Sequence, residues 1–398
     1  MSKGIYHALG LHMHQPPGNL KLLIETNDWE ARQIILCYER PLRYARAFPD
    51  VARINVGFSG ILLEQLQDEG IQKRYASIID IPQMLEGYAR QENIELIGMG
   101  YYHPIFPLIP EEDWEAQLKK GREKIVEVFG REPSGFWPPE MAFCMELIPA
   151  LKRNGYEYVV IDGVHVRPKI ILTPQEILYQ THAAEYDGHE IAVISRDRDL
   201  SNAQESGLDT GWFEREIVEK TAQCAPPSLI TTWSDGENGG WFRQTDESSG
   251  FWGHYFAPYM ERVRSGGMPI TPVRISDFIQ EHPPRNKVRV ESGAWNIGTR
   301  GGMDFSQWAG SDSQKRALGE IGEISRYYHQ VEERLMEEKK KGRDMPGADK
   351  ILSSAYEYVL KSQTSCYLFW GDAWVSRVYE VTKKARVLLN EARQVLLR

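Results

Sequence analysis

The sequence predicts an α/β fold, a parallel sheet or barrel followed by a helical region, and three observations carry that expectation. Short apolar runs alternate with helical patterns over the first 235 residues, the order that produces parallel strands joined by crossover helices. Polar, titratable residues stand directly after most of those runs. Beyond about residue 310 the alternation stops and long helical patterns take over. The runs that read as strands are 5–11, 52–58, 94–99, 135–137, 158–161, 191–194 and 229–233. Between the third and fourth, 111–129 reads as a helix, opening after Pro110 with acids in its first turn. At the far end, 314–341 and 348–398 read as long helices, separated by a Gly-Arg-Asp-Met-Pro-Gly break at 342–347. The expected organisation is a barrel over 1–310 with a helical region, 311–398, packed on it. The charge run 332–341 is the solvated end of a helix.

Composition removes several classes of function. Lysine and arginine number 47 against 56 acids, a net charge of −9, and phosphate backbones need a basic surface, so nucleic acid is not an expected partner. No window approaches the roughly 18 apolar residues of a membrane span. The opening stretch lacks the apolar core of a signal peptide, and the four cysteines (Cys37, Cys144, Cys224, Cys366) are far apart. Reduced thiols in a cytoplasmic protein are the expectation. The sequence sets no oligomeric state. With 11 Trp and 19 Tyr, many beside Gly, Pro or acids, the aromatic content suits either a large core or the stacking of sugar rings.

In parallel α/β folds the active site lies at the C-terminal ends of the strands. There the chain places His12-Met13-His14-Gln15-Pro16, then Tyr101-Tyr102-His103-Pro104, then Trp137-Pro138-Pro139-Glu140. Two further ends carry Asp162-Gly163-Val164-His165 and Ser234-Asp235-Gly236-Glu237-Asn238. Two chemistries compete for this ring. In the first, His12 and His14 ligate a metal with His103, His165 or Asp235, as in a metal-dependent hydrolase or deacetylase. Alternate residues of a strand face opposite ways, which counts against joint ligation, and no HExxH pair or tight cysteine cluster supports it. In the second, two carboxylates break a glycosidic bond, one attacking the anomeric carbon while the other protonates the leaving oxygen. Glu140 and Asp235 fit, since Pro138-Pro139 restricts the approach to Glu140 and the glycines after Asp235 admit a ligand. Trp137, Trp233 and Trp241 would stack on sugar and exclude water. Taken singly, Pro-Pro-Glu is an ordinary helix start and Asp-Gly an ordinary turn; together, among tryptophans, they read as a pair.

These segments, in this order, resemble glycoside hydrolase family 57. His12 to Pro16 is similar to the family's first motif, 98–105 to its second, Trp137 to Glu140 to its third and Trp233 to Asn238 to its fourth. Gly293-Ala294-Trp295 and Trp308-Ala309-Gly310 resemble a tryptophan-bearing stretch of the amylase and amylopullulanase branch. The likeness departs at the fifth motif, where Gln363 and Cys366 occupy positions of acidic or small polar residues.

What the resemblance implies is a (β/α)7 barrel and a retaining enzyme acting on α-linked glucans or oligosaccharides. Glu140 would be the nucleophile and Asp235 the acid/base, with carboxyl groups about 5–5.5 Å apart. His12, His14, His103 and Asp162 would contact sugar hydroxyls or orient Glu140. Trp137, Trp233, Trp241 and Trp295 would supply aromatic surface, while His165 would be structural. Such a mechanism requires no metal or other cofactor. A non-catalytic, carbohydrate-binding barrel is the further alternative.

Overall fold

The structure, a computed structural model, describes residues 4–205, 207–237, 247–295 and 305–397. At its centre run seven strands: β1 (Ile5–Met13), β2 (Ile54–Phe58), β3 (Ile94–Ile97), β4 (Gly135–Phe136), β5 (Tyr158–Asp162), β6 (His189–Arg196) and β7 (Ser228–Asp235). β1 pairs in parallel with β2 on one side and β7 on the other. The parallel pairing continues from β2 to β3, from β4 to β5, from β5 to β6 and from β6 to β7. Between β3 and β4 the ring is closed by a single parallel bridge, Gly98 to Phe136. There the Gly98 N–H donates to the Gly135 carbonyl at 2.8 Å and the Trp137 N–H to the Gly98 carbonyl at 2.9 Å. The result is a (β/α)7 barrel. Each expected apolar run holds one barrel strand and differs from it only at the ends. The strands are buried on both faces, which is why they read as near-continuous apolar runs.

Helices cover the barrel. The helix α1 (Asp28–Ala47) lies between β1 and β2, capped by the Asn27 side chain, which accepts from the Glu30 N–H. The expected helix at 111–129 forms as a short 3₁₀ turn, Glu111–Asp113, followed by α2 (Trp114–Phe129). Inside, Trp137 and Trp233 are fully buried with Ala8, Tyr158, Val160 and Ile194. Gly10 makes room for this layer: a Cβ there would lie 1.9 Å from the Trp233 ring.

Four short strands lie outside the expected runs. His182–Tyr186 pairs antiparallel with β6, Asn286–Val290 parallel with His182–Tyr186, and Val166–Pro168 antiparallel with Asn286–Val290. Ile270–Pro272 adds to the start of β1. Asn286–Val290 keeps Lys287 and Arg289 outward and Val288 and Val290 inward. Alternation this brief is easily lost among loop residues.

The C-terminal region is helical, as expected, but its second long pattern is broken. It comprises α3 (Asp312–Lys340), α4 (Pro346–Ser362), the short α5 (Ser365–Phe369) and α6 (Asp372–Leu396). The interruption falls at Gln363-Thr364 and Trp370-Gly371, where Gly371 has φ 59°, a conformation glycine adopts without penalty. Ser362, Gln363, Thr364 and Ser365 are buried although polar, because the segment hydrogen-bonds into the barrel. The α3, α4 and α6 helices pack through Ile324, Tyr328, Leu352, Val359, Ala385 and Leu389. Among the described residues no helix is long and apolar enough to cross a membrane, and the four cysteines are free thiols.

Candidate active site

Strand register brings the first polar groups together. His12 sits opposite Asp235 in the β1–β7 ladder, at the C-terminal ends of both strands. A cleft of about 570 Å³ opens there. The barrel lines it with His12, His14, Gln15, His103, Glu140, Asp235, Glu237 and Trp295; the C-terminal segment adds Cys366, Phe369, Trp370 and Trp374.

Glu140 is held more tightly than its exposure requires. Its backbone has φ 57° and ψ 18°, a left-handed conformation that costs a non-glycine residue roughly 1–3 kcal/mol and persists only where surroundings enforce it. Trp295 provides that enforcement twice: its backbone N–H donates to the Glu140 carbonyl at 2.8 Å and its Nε1–H to Glu140 Oε2 at 2.8 Å. Ser365 Oγ donates to Oε1 at 3.4 Å. Burial, and then the charge of Asp235, raise the Glu140 carboxyl from the ordinary 4.5 to about 7, with the Trp295, His12 and Ser365 contacts pulling the other way.

Asp235 is the more open carboxylate, its side chain 38% exposed, and its Oδ1 lies 2.9 Å from His12 Nε2. Burial opposes a charge on His12, yet the neighbouring Asp235, Glu237 and Glu140 outweigh it and hold the imidazole above its usual value. His12 thus stands as the one basic group facing three carboxyl groups. The third, Glu237, accepts from the Tyr38 hydroxyl on α1 at 2.9 Å and from Gln15 at 3.4 Å. Burial and the charge of Asp235 raise it to about 7.

His14 and His103 stack in parallel, ring centroids 3.9 Å apart. Burial, with the nearby His12 charge, keeps His14 neutral, at about 3, and keeps His103 well below the usual histidine range. Neutral rings fix the tautomers. The Cys366 thiol lies 3.3 Å from His14 Nε2 and donates to it, so His14 Nδ1–H donates to Ser59 Oγ at 2.8 Å. Ser365 gives its one proton to Glu140, so it accepts from His103 Nδ1–H at 2.8 Å. His103 Nε2 is buried and without a protein partner among the described residues.

The structure thus brings together Glu140, Asp235, His12, His14, His103 and Trp295, and it corrects three of the expectations. Asp162 is fully buried away from the cleft, its Oδ2 bound by Arg198 at 2.7 and 2.8 Å with Arg196 at 3.7 Å; its charge is neutralised inside the wall. Trp137 and Trp233 are fully buried and offer no face to a sugar. Trp137 instead lies flat under His12, centroids 3.9 Å apart, and supports it. Trp295 lines the cleft, but Arg196 covers its ring at 5.4 Å and its N–H serves Glu140. Trp241 lies outside the described residues. His165 Nε2–H donates to the Ala294 carbonyl, 2.9 Å away, behind the Trp295 stretch. As for metal ligation, His12 Nε2 and both nitrogens of His14 are engaged, and in-plane lone pairs of parallel rings do not converge on one point. Among the described residues no group of three or more His, Cys, Asp or Glu could hold a metal ion.

Sequence reasoning missed Glu237, Ser365, Phe369, Trp370 and Trp374 as site residues. Glu237 stands two residues after Asp235, in the turn that follows β7, and the Asp-Gly-Glu-Asn segment was the available signal. The others lie on either side of the break at Trp370-Gly371, and a polar run leading into Phe-Trp-Gly inside a helical pattern was the available signal.

A family model described as glycosyl hydrolase family 57 matches residues 24–291. Alpha-amylase 1 of Dictyoglomus thermophilum is 26% identical over 325 residues, 81% of this chain and 43% of that protein. A 4-alpha-glucanotransferase of Thermococcus litoralis is 28% identical over 200 residues, 49% of this chain and 27% of that protein. The chain spans less than half the length of these curated relatives. In fold it is similar to the crystal structure of a family 57 branching enzyme from Thermococcus kodakaraensis, with a TM-score of 0.72 at 15% identity, covering 98% of this chain and 90% of that one.

Proposed function

The chain belongs to glycosyl hydrolase family 57, and from that premise we propose that it is a retaining α-glycosidase or α-glucan transferase. Glu140 attacks the anomeric carbon; Asp235 protonates the departing oxygen and then deprotonates the incoming acceptor, water or a sugar hydroxyl. The observation that carries the reading is the unequal treatment of two carboxylates in one cleft. Glu140 is locked by Trp295 and Ser365 in an enforced backbone conformation, as a nucleophile aimed at one atom must be. Asp235 is more exposed and paired with His12, an arrangement that suits a group exchanging protons with solvent-borne partners. Named relatives include amylases and a 4-alpha-glucanotransferase, which supports α-linked glucan as substrate.

Trp370, Trp374 and Phe369 stack on sugar rings beyond the reacting bond, in place of the buried Trp137 and Trp233. The catalytic unit is residues 1–310, with 311–398 closing one side of its cleft. The chemistry needs no metal or cofactor from this set of groups. Product analysis with maltooligosaccharides tests the reading: glucose and short products mean hydrolysis, longer chains mean transfer, new branch points mean branching. Absence of turnover on all α-linked glucans tried would remove the substrate assignment.

A further inference from the structure

Asp113 is not among the residues lining the cleft; it stands at the end of the turn that precedes α2, and its side chain is fully buried. Four donors converge on it. Oδ2 accepts from Ser325 Oγ at 2.7 Å and from Gln363 Nε2 at 2.5 Å. Oδ1 accepts from the Tyr356 hydroxyl and His329 Nε2, each at 3.0 Å. Ser325 and His329 belong to α3 and Tyr356 to α4, so one barrel carboxylate binds both helices and the segment that leaves α4. His329 also meets Glu332 at 3.2 Å; its two acidic neighbours overcome burial and raise it to about 9, so it is an imidazolium at neutral pH.

Gln363 is fixed at both ends of its amide. Its nitrogen goes to Asp113, and its oxygen accepts from Gln117 Nε2 at 2.9 Å. Gln117 in turn accepts the Tyr102 N–H at 3.0 Å, one residue before His103. Two residues beyond Gln363, the Ser365 N–H donates to the His103 carbonyl at 3.0 Å, and Thr364 bridges Pro104. Ser365 Oγ then stands between His103 Nδ1 and Glu140 Oε1. An ionised acidic side chain at 363 would face the Asp113 carboxylate inside the protein, whereas the Gln363 amide donates to Asp113 and accepts from Gln117. The amide at Gln363, where the likeness to the family departs, fits this junction.

We infer that Asp113 is a positioning residue for Glu140: by fixing Gln363 it sets residues 363–365 in place and so holds the Ser365 hydroxyl against the Glu140 carboxylate. Apolar packing alone would join helices to a barrel equally well, since buried ionic groups are often no more stabilising than hydrophobic replacements. Four convergent hydrogen bonds add direction, and the group they direct ends at the carboxylate that must be aimed.

The inference rests on Glu140 being the reacting carboxylate of the proposed function, but its test does not need a substrate. Carbon-detected NMR of ¹³C-carboxyl-labelled glutamate, with Glu140 assigned from the Glu140→Gln spectrum, reads the Glu140 titration midpoint in the full chain. Ser365→Ala removes a hydrogen bond to the charged form and should raise that midpoint by a few tenths to about one pH unit. Asp113→Asn and, independently, Gln363→Met should raise it in the same direction with the far-ultraviolet circular dichroism unchanged. Asp113→Asn combined with Ser365→Ala should move it no further than Ser365→Ala alone, because both act through one hydroxyl. On maltooligosaccharides kcat should fall with KM nearly unchanged. If Ser365→Ala shifts the midpoint while both Asp113→Asn and Gln363→Met leave it in place, Asp113 only joins the helices and the inference is wrong. A Ser365→Ala protein with the wild-type midpoint overturns it as well. Wild-type protein inactive on every glucan would count against the substrate assignment alone, leaving the titration result to stand.

Discussion

Across the cleft, the barrel wall presents His12, His14, His103, Glu140, Asp235 and Glu237, while the wall from the C-terminal segment presents Cys366, Phe369, Trp370 and Trp374. The first wall grows from the C-terminal ends of parallel strands and the turns that follow them, where register such as that of His12 opposite Asp235 lets charges be opposed across short distances. The second is carried on short α5 and the turn into α6, and it offers hydroxyl, thiol and aromatic surface. Ionisable groups whose separation sets the chemistry sit where register is rigid; groups that contact a substrate over an area sit on a separate, attached unit. The difference predicts unequal consequences of mutation on the two sides.

The largest effects belong to the barrel wall. Glu140→Gln and Asp235→Asn should each lower kcat by about 10³-fold or more, in the upper range of what positioned acid–base and nucleophilic groups contribute, with the fold retained by circular dichroism. Wild-type turnover in either variant would reject that residue's role. A stability measurement sharpens the same contrast. Glu140 titrates near 4.5 when unfolded and about 7 when folded, so the folded chain holds a proton that the unfolded chain releases between those values. Its contribution is fully present below pH 4.5 and is lost as pH rises through 7, a decline of about 3.5 kcal/mol at most at about 1.4 kcal/mol per unit. Glu140→Gln should therefore raise the melting temperature at pH 8 and leave it unchanged at pH 4.

The pH dependence of catalysis comes next. A nucleophile must be ionised, so kcat/KM should fall on the acid side with a midpoint at about 7, set by burial of Glu140 and then by the charge of Asp235. Asp235→Asn removes that charge and should lower the midpoint of the residual activity. An upward shift, or none, would mean that the acid limb belongs to another group, with Glu237, also at about 7, the first to examine.

Effects on the opposite wall should be smaller and of another kind. Trp370 is 56% exposed and Trp374 lies beside it in the cleft. Losing one aromatic face costs about 1 kcal/mol of stacking, so Trp370→Ala should raise KM for long maltooligosaccharides about five-fold and leave kcat within two-fold. If kcat falls instead, the aromatic wall contributes to aiming the reacting bond and the division between walls is less sharp than the geometry implies.

The same division explains what could be read from the sequence. Barrel strands were legible because burial on both faces writes an apolar run, and His12, His103, Glu140 and Asp235 were legible because each follows such a run directly. Burial does not separate a tryptophan that supports a histidine from one that meets a ligand, so Trp137 and Trp233 were placed on the wrong side of the wall. Asp162 looks like any strand-end acid until Arg196 and Arg198 are seen to neutralise it, and both lie beyond the next strand. The opposite wall depends on contacts between residues some 220 positions apart, such as Ser365 with Glu140, for which no local pattern exists.

Cys366 gives the smallest expected effect and the finest test of the comparison. Burial, and then the charge of Glu140, push its thiol up to about 12, so at neutral pH it remains S–H and donates to His14 Nε2. A thiol so protonated is a poor nucleophile despite its place in the cleft. Cys366→Ser keeps a donor at that point and should hold kcat within about two-fold. Cys366→Ala leaves the imidazole nitrogen without its partner and should cost on the order of 1 kcal/mol, about five-fold. Iodoacetamide at pH 7.5, followed by mass spectrometry, should label Cys366 far more slowly than a free thiol such as glutathione. Fast labelling accompanied by loss of activity would show that this wall, too, carries a reactive ionised group, and the separation of ionised groups from contact surface would fail at the residue where the two walls meet.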